Sequence, residues 1–333
     1  MAKALVIMSP AAGTDTRTAV RAALARRFPA ARIEYEIHEA RPGDSFGAIV
    51  RGRLPDGFDL VVAAGGDGTV SAVIDGLAGS AIPLGIIPIG TANLIARELN
   101  VPLEIDAAVS LIAGMPRARK IDAMRIRERT YVLIASVGMS ATVAGGTTRA
   151  NKNRFGLIAY LGAAILKIFH FRPRHLDISV DGSARAYHAV EVAIANCGIL
   201  AKMIFPKGPD IHVDDGHLDV WILSTKTLLD YPRYLMRVIT RRPARPRAHF
   251  IEAERHITIR SSVPLPVQAD GDVIGTTPVE IAVVPHAVSV LVPEKPATAP
   301  GLTLARDIFI AKYMTGFGKA GAFRKSLRGG SRP

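Results

Sequence analysis

Two polar, glycine-bearing loops, each entered from a short apolar run, constrain this sequence most strongly. Within 60–99, the run at 60–62 leads into Gly-Gly-Asp-Gly-Thr at 65–69, and a helical pattern of apolar residues follows. The run at 82–89 leads into Gly-Thr-Ala-Asn at 90–93 and a second helical pattern. Two such passages in succession place both loops at the carboxyl ends of neighbouring strands, where open α/β sheets bind their ligands.

The first loop suits a phosphate group. Gly65, Gly66 and Gly68 leave backbone N–H groups unobstructed, and the helix behind them adds partial positive charge. Thr69 caps that helix or donates its hydroxyl to the phosphate. The Asp67 carboxylate would repel a bare phosphate unless a cation such as Mg²⁺ lay between them. Two interpretations follow: a site for a nucleotide and its metal, or a tight turn in which Asp67 caps the helix.

Further segments give the two loops a context. The matching segments are 8–13 (MSPAAG), 41–44 (RPGD), 65–70 (GGDGTV), 88–99 (PIGTANLIAREL), 209–220 (PDIHVDDGHLDV) and 268–293. In this order they resemble the diacylglycerol kinase catalytic family, which includes bacterial lipid kinases and sphingosine and ceramide kinases. The resemblance covers roughly residues 3–293 and implies a lipid kinase that uses ATP and Mg²⁺.

The pattern of elements predicts two domains, as expected for 333 residues. Alternating strands and helices, with helices at 18–28 and 43–53, predict a doubly wound parallel sheet. Beyond it, short period-2 segments predict an antiparallel sandwich or barrel, with single strands at 131–136 and 186–195.

The resemblance implies the same fold class, α/β plus all-β. An N-terminal doubly wound α/β nucleotide-binding domain would span 1–122, and a C-terminal antiparallel β-sandwich-like domain for the lipid substrate would span 123–287. The active site would lie in the cleft between them. The chain would rejoin the first domain from about residue 288, and 301–333 would form a basic tail.

The resemblance also implies site residues. Those expected to bind the ATP are Gly65, Gly66, Asp67, Gly68, Thr69, Val70, Ser71, Thr91, Asn93 and Glu39. Asp67 would orient the Mg²⁺ or the nucleophile, and the turn Asp270-Gly271-Asp272 would present the base that accepts the proton of the attacking hydroxyl. Asp272 occupies the position of a glutamate in the family and is the expected base, with Asp270 as the alternative. Taken alone, this turn is also compatible with a simple hairpin.

A third polar cluster lies at 210–219, where carboxylates and imidazoles alternate. A hairpin with solvated side chains is one interpretation, and a metal site is the other. The resemblance implies a structural Mg²⁺ held by the Asp215 carboxylate and the backbone carbonyls of His212 and His217. The imidazoles would then not be ligands, because Mg²⁺ prefers oxygen.

The sequence departs from the family pattern beside both loops. Ser71-Ala72 replaces the common Asn-Glu, Leu94 stands where many members carry Asp, and Ser9 replaces an Asn. These changes remove polar groups around the phosphate loop and leave its glycines in place.

The charge indicates an anionic partner. The net charge is +13, and the tail 301–333 carries seven Lys and Arg residues against one Asp. No zinc-ligand set or RNA-binding aromatic signature accompanies it, so an anionic membrane surface is favoured over a nucleic acid.

The arginine-rich run at 241–247 is predicted to be an exposed loop, and the apolar stretch 155–171 is predicted to be a core or surface-docking helix. A single Cys197 permits no internal disulfide, which fits a cytoplasmic protein at the inner face of the membrane.

The leading hypothesis is an ATP-dependent lipid kinase that phosphorylates a diacylglycerol-like or other long-chain lipid alcohol at the membrane surface. One alternative is a catalytically weak sensor of the same fold that binds lipid or nucleotide. The other is a kinase of a soluble alcohol, similar to NAD kinases, which share a Gly-Gly-Asp-Gly loop. The identity of the lipid and the oligomeric state are not predicted.

Overall fold

The computed structural model describes residues 1–39, 41, 43–138, 141, 173–204, 209–224 and 247–294. The predictions for the apolar stretch 155–171, for the basic tail 301–333 and for most of the arginine-rich run at 241–247 lie outside these residues. No helix of the described part of the chain combines the length and apolarity needed to cross a bilayer.

The described helices, in chain order, are α1 (Thr14–Arg27), α2 (Phe46–Arg53), α3 (Asp67–Leu77), α4 (Leu94–Glu98), α5 (Ile105–Ala113) and α6 (Gly198–Ile204). Side-chain caps fix two of their starts. The Ser45 hydroxyl accepts from the Ala48 N–H, so α2 begins three residues later than predicted. The Glu104 carboxylate likewise accepts the first-turn N–H groups of α5.

The strands fall into two groups along the chain. The first group is β1 (Ala2–Met8), β2 (Ile33–Glu39), β3 (Leu60–Gly65), β4 (Leu84–Pro88), β5 (Ala118–Ile126), β6 (Arg129–Tyr131), β7 (Ile134–Gly138) and β8 (Arg174–Val180). The second is β9 (Ser183–Ala189), β10 (Glu191–Ala195), β11 (Leu218–Ser224), β12 (Arg247–Ala253), β13 (His256–Ser261), β14 (Pro266–Ala269), β15 (Asp272–Thr276) and β16 (Val279–Leu291).

The first four strands form a parallel sheet in the order β2-β1-β3-β4 with helices on both faces. Alternate residues of β1 separate the two faces. Leu5 and Ile7 pack in one core with α2 and α3, whereas Val6 and Met8 pack in another with α1 and α5. The predicted doubly wound α/β fold is confirmed.

The remaining strands form a β-sandwich. One layer has the order β12-β11-β10-β7-β14-β15, and the other contains β5, β16, β13, β8 and β9. The buried side chains of both layers form one hydrophobic core. This arrangement confirms the predicted β-sandwich-like second domain.

Strands β5 and β16 run through both halves of the molecule as an antiparallel pair. Ile281 of β16 pairs with Ile126 in the sandwich, and Val288 pairs with Ile121 beyond a bulge. Val290 also pairs in parallel with Leu84 of β4, so the end of β16 lies in the sheet of the first domain. The two domains therefore share a ribbon, and the predicted boundaries at 122 and 287 stay predictions.

Two strand predictions are wrong. The segment 131–136 is not one strand, because the N–H groups of 132–134 leave the ladder to donate to a side chain of another loop. The segment 186–195 is also divided, because at Val190 the chain passes from β9 in one layer to β10 in the other.

Candidate active site

The two glycine loops meet at the carboxyl ends of β3 and β4. A Cβ added to Gly90 would lie 2.4 Å from the Gly66 Cα, and one added to Gly66 would lie 3.1 Å from the Gly90 Cα. Carbon atoms do not approach to 2.4 Å without displacement of the chain, so position 90 requires glycine, whereas a side chain at position 66 would make a tight contact. The loops therefore form a single surface from two successive strand-to-helix passages.

Only part of the predicted ATP-binding set faces outward. Gly68 and Thr91 are exposed, Gly66 is half-buried, and a Cβ at Gly68 would meet open space. Thr69 is 7% exposed and packs on Gly65, where a Cβ would lie 2.3 Å from the Thr69 Cβ. Gly68 lies in the first turn of α3, where the N–H groups of Thr69 and Val70 donate to the Gly66 carbonyl, and Thr91 lies in the second loop. The start of α3 provides the positive end of a helix for a phosphate.

Asp67 links the two loops. Its Oδ1 accepts the N–H of Ile95 at 3.1 Å, in the first turn of α4. A carboxylate at a helix N-terminus stabilises that helix through both the hydrogen bond and the helix dipole. Asp67 thus caps the helix of the second loop, an arrangement that neither interpretation from the sequence includes.

Asn93 fixes the second loop from within. It has a positive φ of 50° and is 8% exposed. Its Oδ1 accepts from the Gly90 N–H, and its Nδ2 donates to the Gly90 carbonyl, both at 2.9 Å. The amide therefore braces the loop. Glu39 lies at the end of β2, where its carboxylate forms an ion pair with Arg21.

The turn Asp270-Gly271-Asp272 reaches this site from the sandwich. The Asp270 Oδ2 accepts from the Ser71 hydroxyl at 2.5 Å and from the Val132 N–H at 3.0 Å. Its Oδ1 accepts from the N–H groups of Leu133 at 2.9 Å and Ile134 at 3.1 Å. Four donors thus surround one carboxylate and hold it in place.

A carboxylate bound by several amides also occurs at Asp181, in the turn between β8 and β9. Asp181 and Asp270 both have positive φ, 50° and 48°, and each precedes a glycine of positive φ. The Asp181 carboxylate accepts the three consecutive N–H groups of 254–256 at 2.7 to 2.9 Å. Although burial raises the pKa of Asp181, these bonds bring that pKa below its ordinary value. An Asp-Gly turn that binds three amides is therefore a structural element of this sandwich.

Asp272 differs from Asp270 in every respect that matters for proton transfer. It is exposed at the first position of β15, and its carboxylate accepts no hydrogen bond from the described part of the chain. An acceptor for a proton needs an accessible lone pair. Of the two aspartates in the turn, Asp272 is the one with an accessible lone pair.

A second link joins α3 to the sandwich one helical turn beyond Ser71. Asp75 is 7% exposed, and its Oδ1 accepts the Thr130 N–H at 2.8 Å. Its Oδ2 lies 3.3 Å from Arg51 and 4.0 Å from Arg129. The sequence reasoning missed Asp75, although an acidic residue in the apolar pattern of α3, four residues after Ser71, was a signal of a buried polar contact.

The predicted metal loop lies beside the shared ribbon. Asp122, fully buried, accepts the N–H of Gly216 at 2.7 Å, and the Asp215 Oδ1 accepts the His217 N–H at 3.3 Å. Asp214 is bound by Arg119 through two bonds of 2.6 and 2.5 Å. The sequence reasoning also missed Asp122, a lone acid in an apolar run.

The donor set at this loop fits Mg²⁺. Within the described ranges, no group of three or more His, Cys, Asp and Glu side chains is arranged to hold a metal. The predicted set, one carboxylate with the carbonyls of His212 and His217, does not need such a group and has the oxygen donors that Mg²⁺ prefers. Burial, followed by the charges of Asp215 and Glu252, raises the pKa of nearby Asp219 to about 6. A cation here would relieve that repulsion, and the site stays a prediction.

Two family models match the chain. The diacylglycerol kinase catalytic domain matches residues 3–126, and the YegS C-terminal NAD kinase beta sandwich-like domain matches residues 133–292. The protein named probable lipid kinase YegS-like from Pseudomonas aeruginosa is 33% identical over 66% of this chain and 72% of its own length. Diacylglycerol kinase from Bacillus subtilis is 26% identical over 89% of this chain and 98% of its own length.

Coverage differs among other matches. The chain spans 56% of an uncharacterized Synechocystis protein to which it is 29% identical over 72% of its own length. A crystal structure of a diacylglycerol kinase from Bacillus anthracis has a TM-score of 0.65 at 22% identity and covers 88% of this chain and 97% of that one. At that identity the structural likeness shows the fold, which is the one described above.

Proposed function

The chain belongs to the diacylglycerol kinase family of lipid kinases, and we propose that it transfers the γ-phosphate of ATP to the hydroxyl of a diacylglycerol-like or other long-chain lipid alcohol. The observation that carries this proposal is the hydrogen bond from Ser71 to Asp270. It brings a turn with an accessible carboxylate against the helix that begins in the phosphate loop. A phosphate site and a proton acceptor would then face one cleft.

The first domain would hold the nucleotide. The exposed first turn of α3 at Gly68, the contact of Gly66 with Gly90, and the exposed Thr91 form a surface of backbone amides and one hydroxyl. Such a surface binds phosphate oxygens without a charged side chain. A divalent cation bound with ATP, for which Mg²⁺ is our proposal, would offset the charge of the phosphates.

The second domain would supply the base. As the lipid oxygen forms its bond to the γ-phosphorus, the bond from that phosphorus to the β-γ bridging oxygen breaks and ADP leaves. The proton of the lipid hydroxyl passes to Asp272. Asp270 is unsuited to this step, because a proton on either oxygen would displace a donor that it binds.

We place the reaction in the cytoplasm, at the inner face of the membrane. The net charge of +13 supports attraction to anionic lipid heads, and the tail 301–333 carries much of it. A long-chain alcohol resides in the bilayer, so the enzyme would work at that surface as a peripheral protein.

The test is phosphate transfer by the purified full-length chain. Protein, Mg²⁺ and ATP labelled at the γ-phosphate are incubated with mixed micelles of candidate lipid alcohols, and lipid products are identified by mass spectrometry. We expect labelled lipid, and we expect Asp272→Asn to lower kcat by roughly 10²- to 10⁴-fold. Asp177→Asn, an exposed carboxylate on β8, is the matched control and keeps wild-type kcat. Absence of labelled lipid across the panel contradicts the kinase proposal. A wild-type kcat in Asp272→Asn contradicts the assignment of Asp272 as the base.

One observation favours a second candidate, a sensor that binds nucleotide and lipid with weak catalysis. Leu94 occupies the start of α4 and packs against the core, and Asp67 binds the backbone of that helix. A metal ion bound with the ATP phosphates would then have fewer side-chain oxygens around it than the family pattern, with Asp at position 94, provides. Micelle and ATP binding without labelled product would establish this candidate instead.

A further inference from the structure

We infer that Ser71 is a positioning residue, whose hydroxyl holds the base-bearing turn against the phosphate-loop helix rather than binding ATP. This inference rests on the proposed function. The family resemblance assigns Ser71, which follows the glycine loop, to nucleotide binding. The inference replaces that role with positioning of the turn. It also assigns Asp270 to alignment of the two domains.

The direction of one hydrogen bond separates the two roles. A serine hydroxyl has a single proton to donate, and that of Ser71 is directed to the Asp270 Oδ2 at 2.5 Å. The Ser71 side chain is also buried, with the residue 6% exposed, whereas Gly68 of the same helix is exposed. A phosphate at the exposed end of α3 would therefore meet backbone amides and not this hydroxyl.

The turn is held on its own domain without Ser71. The Asp270 N–H donates to the Ile134 carbonyl at 2.9 Å, and the Gly271 N–H donates to the Gln268 Oε1 at 3.0 Å. The Gln268 amide in turn donates to the Ser136 hydroxyl at 2.8 Å. These bonds fix the conformation of the turn within the sandwich. The bond from Ser71 instead fixes where the sandwich carries that turn relative to α3.

Helix α3 makes this link rigid. Asp67 begins the helix at the phosphate loop, Ser71 follows one turn later, and Asp75 binds the Thr130 N–H one turn beyond that. Residues four apart share a helix face, so both links point to the sandwich from the same side. One residue, Gly271, separates Asp270 from Asp272 along the chain. The distance from the phosphate to the base is therefore set through one helix and one short turn.

The comparison with Asp181 shows what the extra bond adds. That carboxylate holds an equivalent Asp-Gly turn with three backbone amides, and among the described residues no hydroxyl from another domain binds it. Three amides therefore suffice to hold such a turn. The fourth donor at Asp270 comes from the other domain, so its effect is on the relation between the domains.

The test is a steady-state comparison of Ser71→Ala with the wild type on the lipid found active. Alanine favours the helix, so the variant folds. We expect kcat to fall roughly 10- to 100-fold, because small displacements of reacting groups have effects of that order. The KM for ATP should stay within about twofold. Ser110→Ala, a half-buried serine on α5, is the matched control and keeps both constants.

A double-mutant cycle extends the test. Asp270→Asn should lower kcat by at least as much, and adding Ser71→Ala to it should lower kcat no further, because both changes remove one interaction. Asp181→Asn disrupts the same kind of turn and should lower the melting temperature without changing kcat. A fully additive double variant would overturn the inference.

Hydrogen exchange provides a readout that does not depend on activity. Loss of the Ser71 bond should speed exchange of the Thr130 amide, which Asp75 of α3 binds across the same two domains, by about fivefold or more. The amides of 132–134 should keep their exchange rates, because Asp270 still binds them. If the wild type transfers no phosphate, the proposed function fails, and an unchanged exchange rate at Thr130 then overturns the inference as well. If the wild type is active, an increased KM for ATP with wild-type kcat in Ser71→Ala shows that the hydroxyl binds nucleotide, and the inference is wrong.

Discussion

Replacing Gly90 with alanine tests the contact between the two loops directly. Gly90 does not have a positive φ, so alanine fits its backbone conformation and the effect is purely steric. The added Cβ would lie 2.4 Å from the Gly66 Cα and 2.7 Å from the Asn93 Oδ1. Carbon contacts begin near about 3.5 Å, so the loops must separate by roughly 1 Å.

That separation has two expected consequences. Overpacking of this kind costs about 1–3 kcal/mol of stability. It also moves the exposed amides of one loop relative to the other, and a displacement near 1 Å lowers reaction rates by roughly 10²-fold. We therefore expect kcat/KM for ATP to fall by about that factor in Gly90→Ala, with a lower melting temperature.

Steady-state kinetics with ATP as the varied substrate and thermal denaturation measure both effects. Gly52→Ala is the matched control, because Gly52 is exposed on α2 and a Cβ there meets nothing within 4 Å. It should keep wild-type kinetics and gain about 0.5 kcal/mol of stability. If Gly90→Ala retains both wild-type kcat/KM and wild-type stability, the loops do not form the joint surface described here.

Three further outcomes follow from buried polar groups. Asp181→Asn should lower the free energy of unfolding at pH 7, and this loss should fade as the pH falls below 4. The pKa of Asp181 is lowered in the folded protein, so its carboxylate contributes stability that is present above the unfolded pKa and lost below the folded pKa. Denaturation at several pH values measures this. Cys197 should resist alkylation until the protein unfolds, because burial, followed by the charge of Glu98, raises the pKa of its thiol; rapid labelling of native protein would contradict this. Asp122→Asn should lower the free energy of unfolding, measured in urea, by about 1–3 kcal/mol. The new side-chain NH₂ group must then face the N–H of Gly216 or of His286, which places two donors together.

Local chemistry explains what the sequence predicts well. The glycine loops, the apolar runs before them and the helices after them are properties of adjacent residues. The same holds for the Asp-Gly turns at 181 and 270, which need only a residue tolerant of positive φ followed by glycine. The parallel and antiparallel parts of the fold follow from such patterns, and the structure confirms both.

Contacts between distant segments explain the errors. The strand predicted at 131–136 has the right periodicity, but its middle amides bind Asp270, which lies far along the chain. Periodicity carries no information about that competitor. The assignment of Ser71 to the nucleotide stays a prediction, but its position after the glycine loop gave no sign that its hydroxyl reaches the other domain.

The different environments of Asp270 and Asp272 follow from the geometry of the turn. Glycine at 271 has a φ of 97°, and Asp270 before it has a φ of 48°, so the chain reverses there before Asp272 begins β15. The Asp270 carboxylate then binds the amides of 132–134, and the Asp272 carboxylate is exposed to solvent. A residue bound by four donors cannot accept a proton without losing one of them, and no donor among the described residues binds Asp272. In the proposed reaction the turn therefore needs both aspartates, because Asp270 fixes the position from which Asp272 accepts the proton.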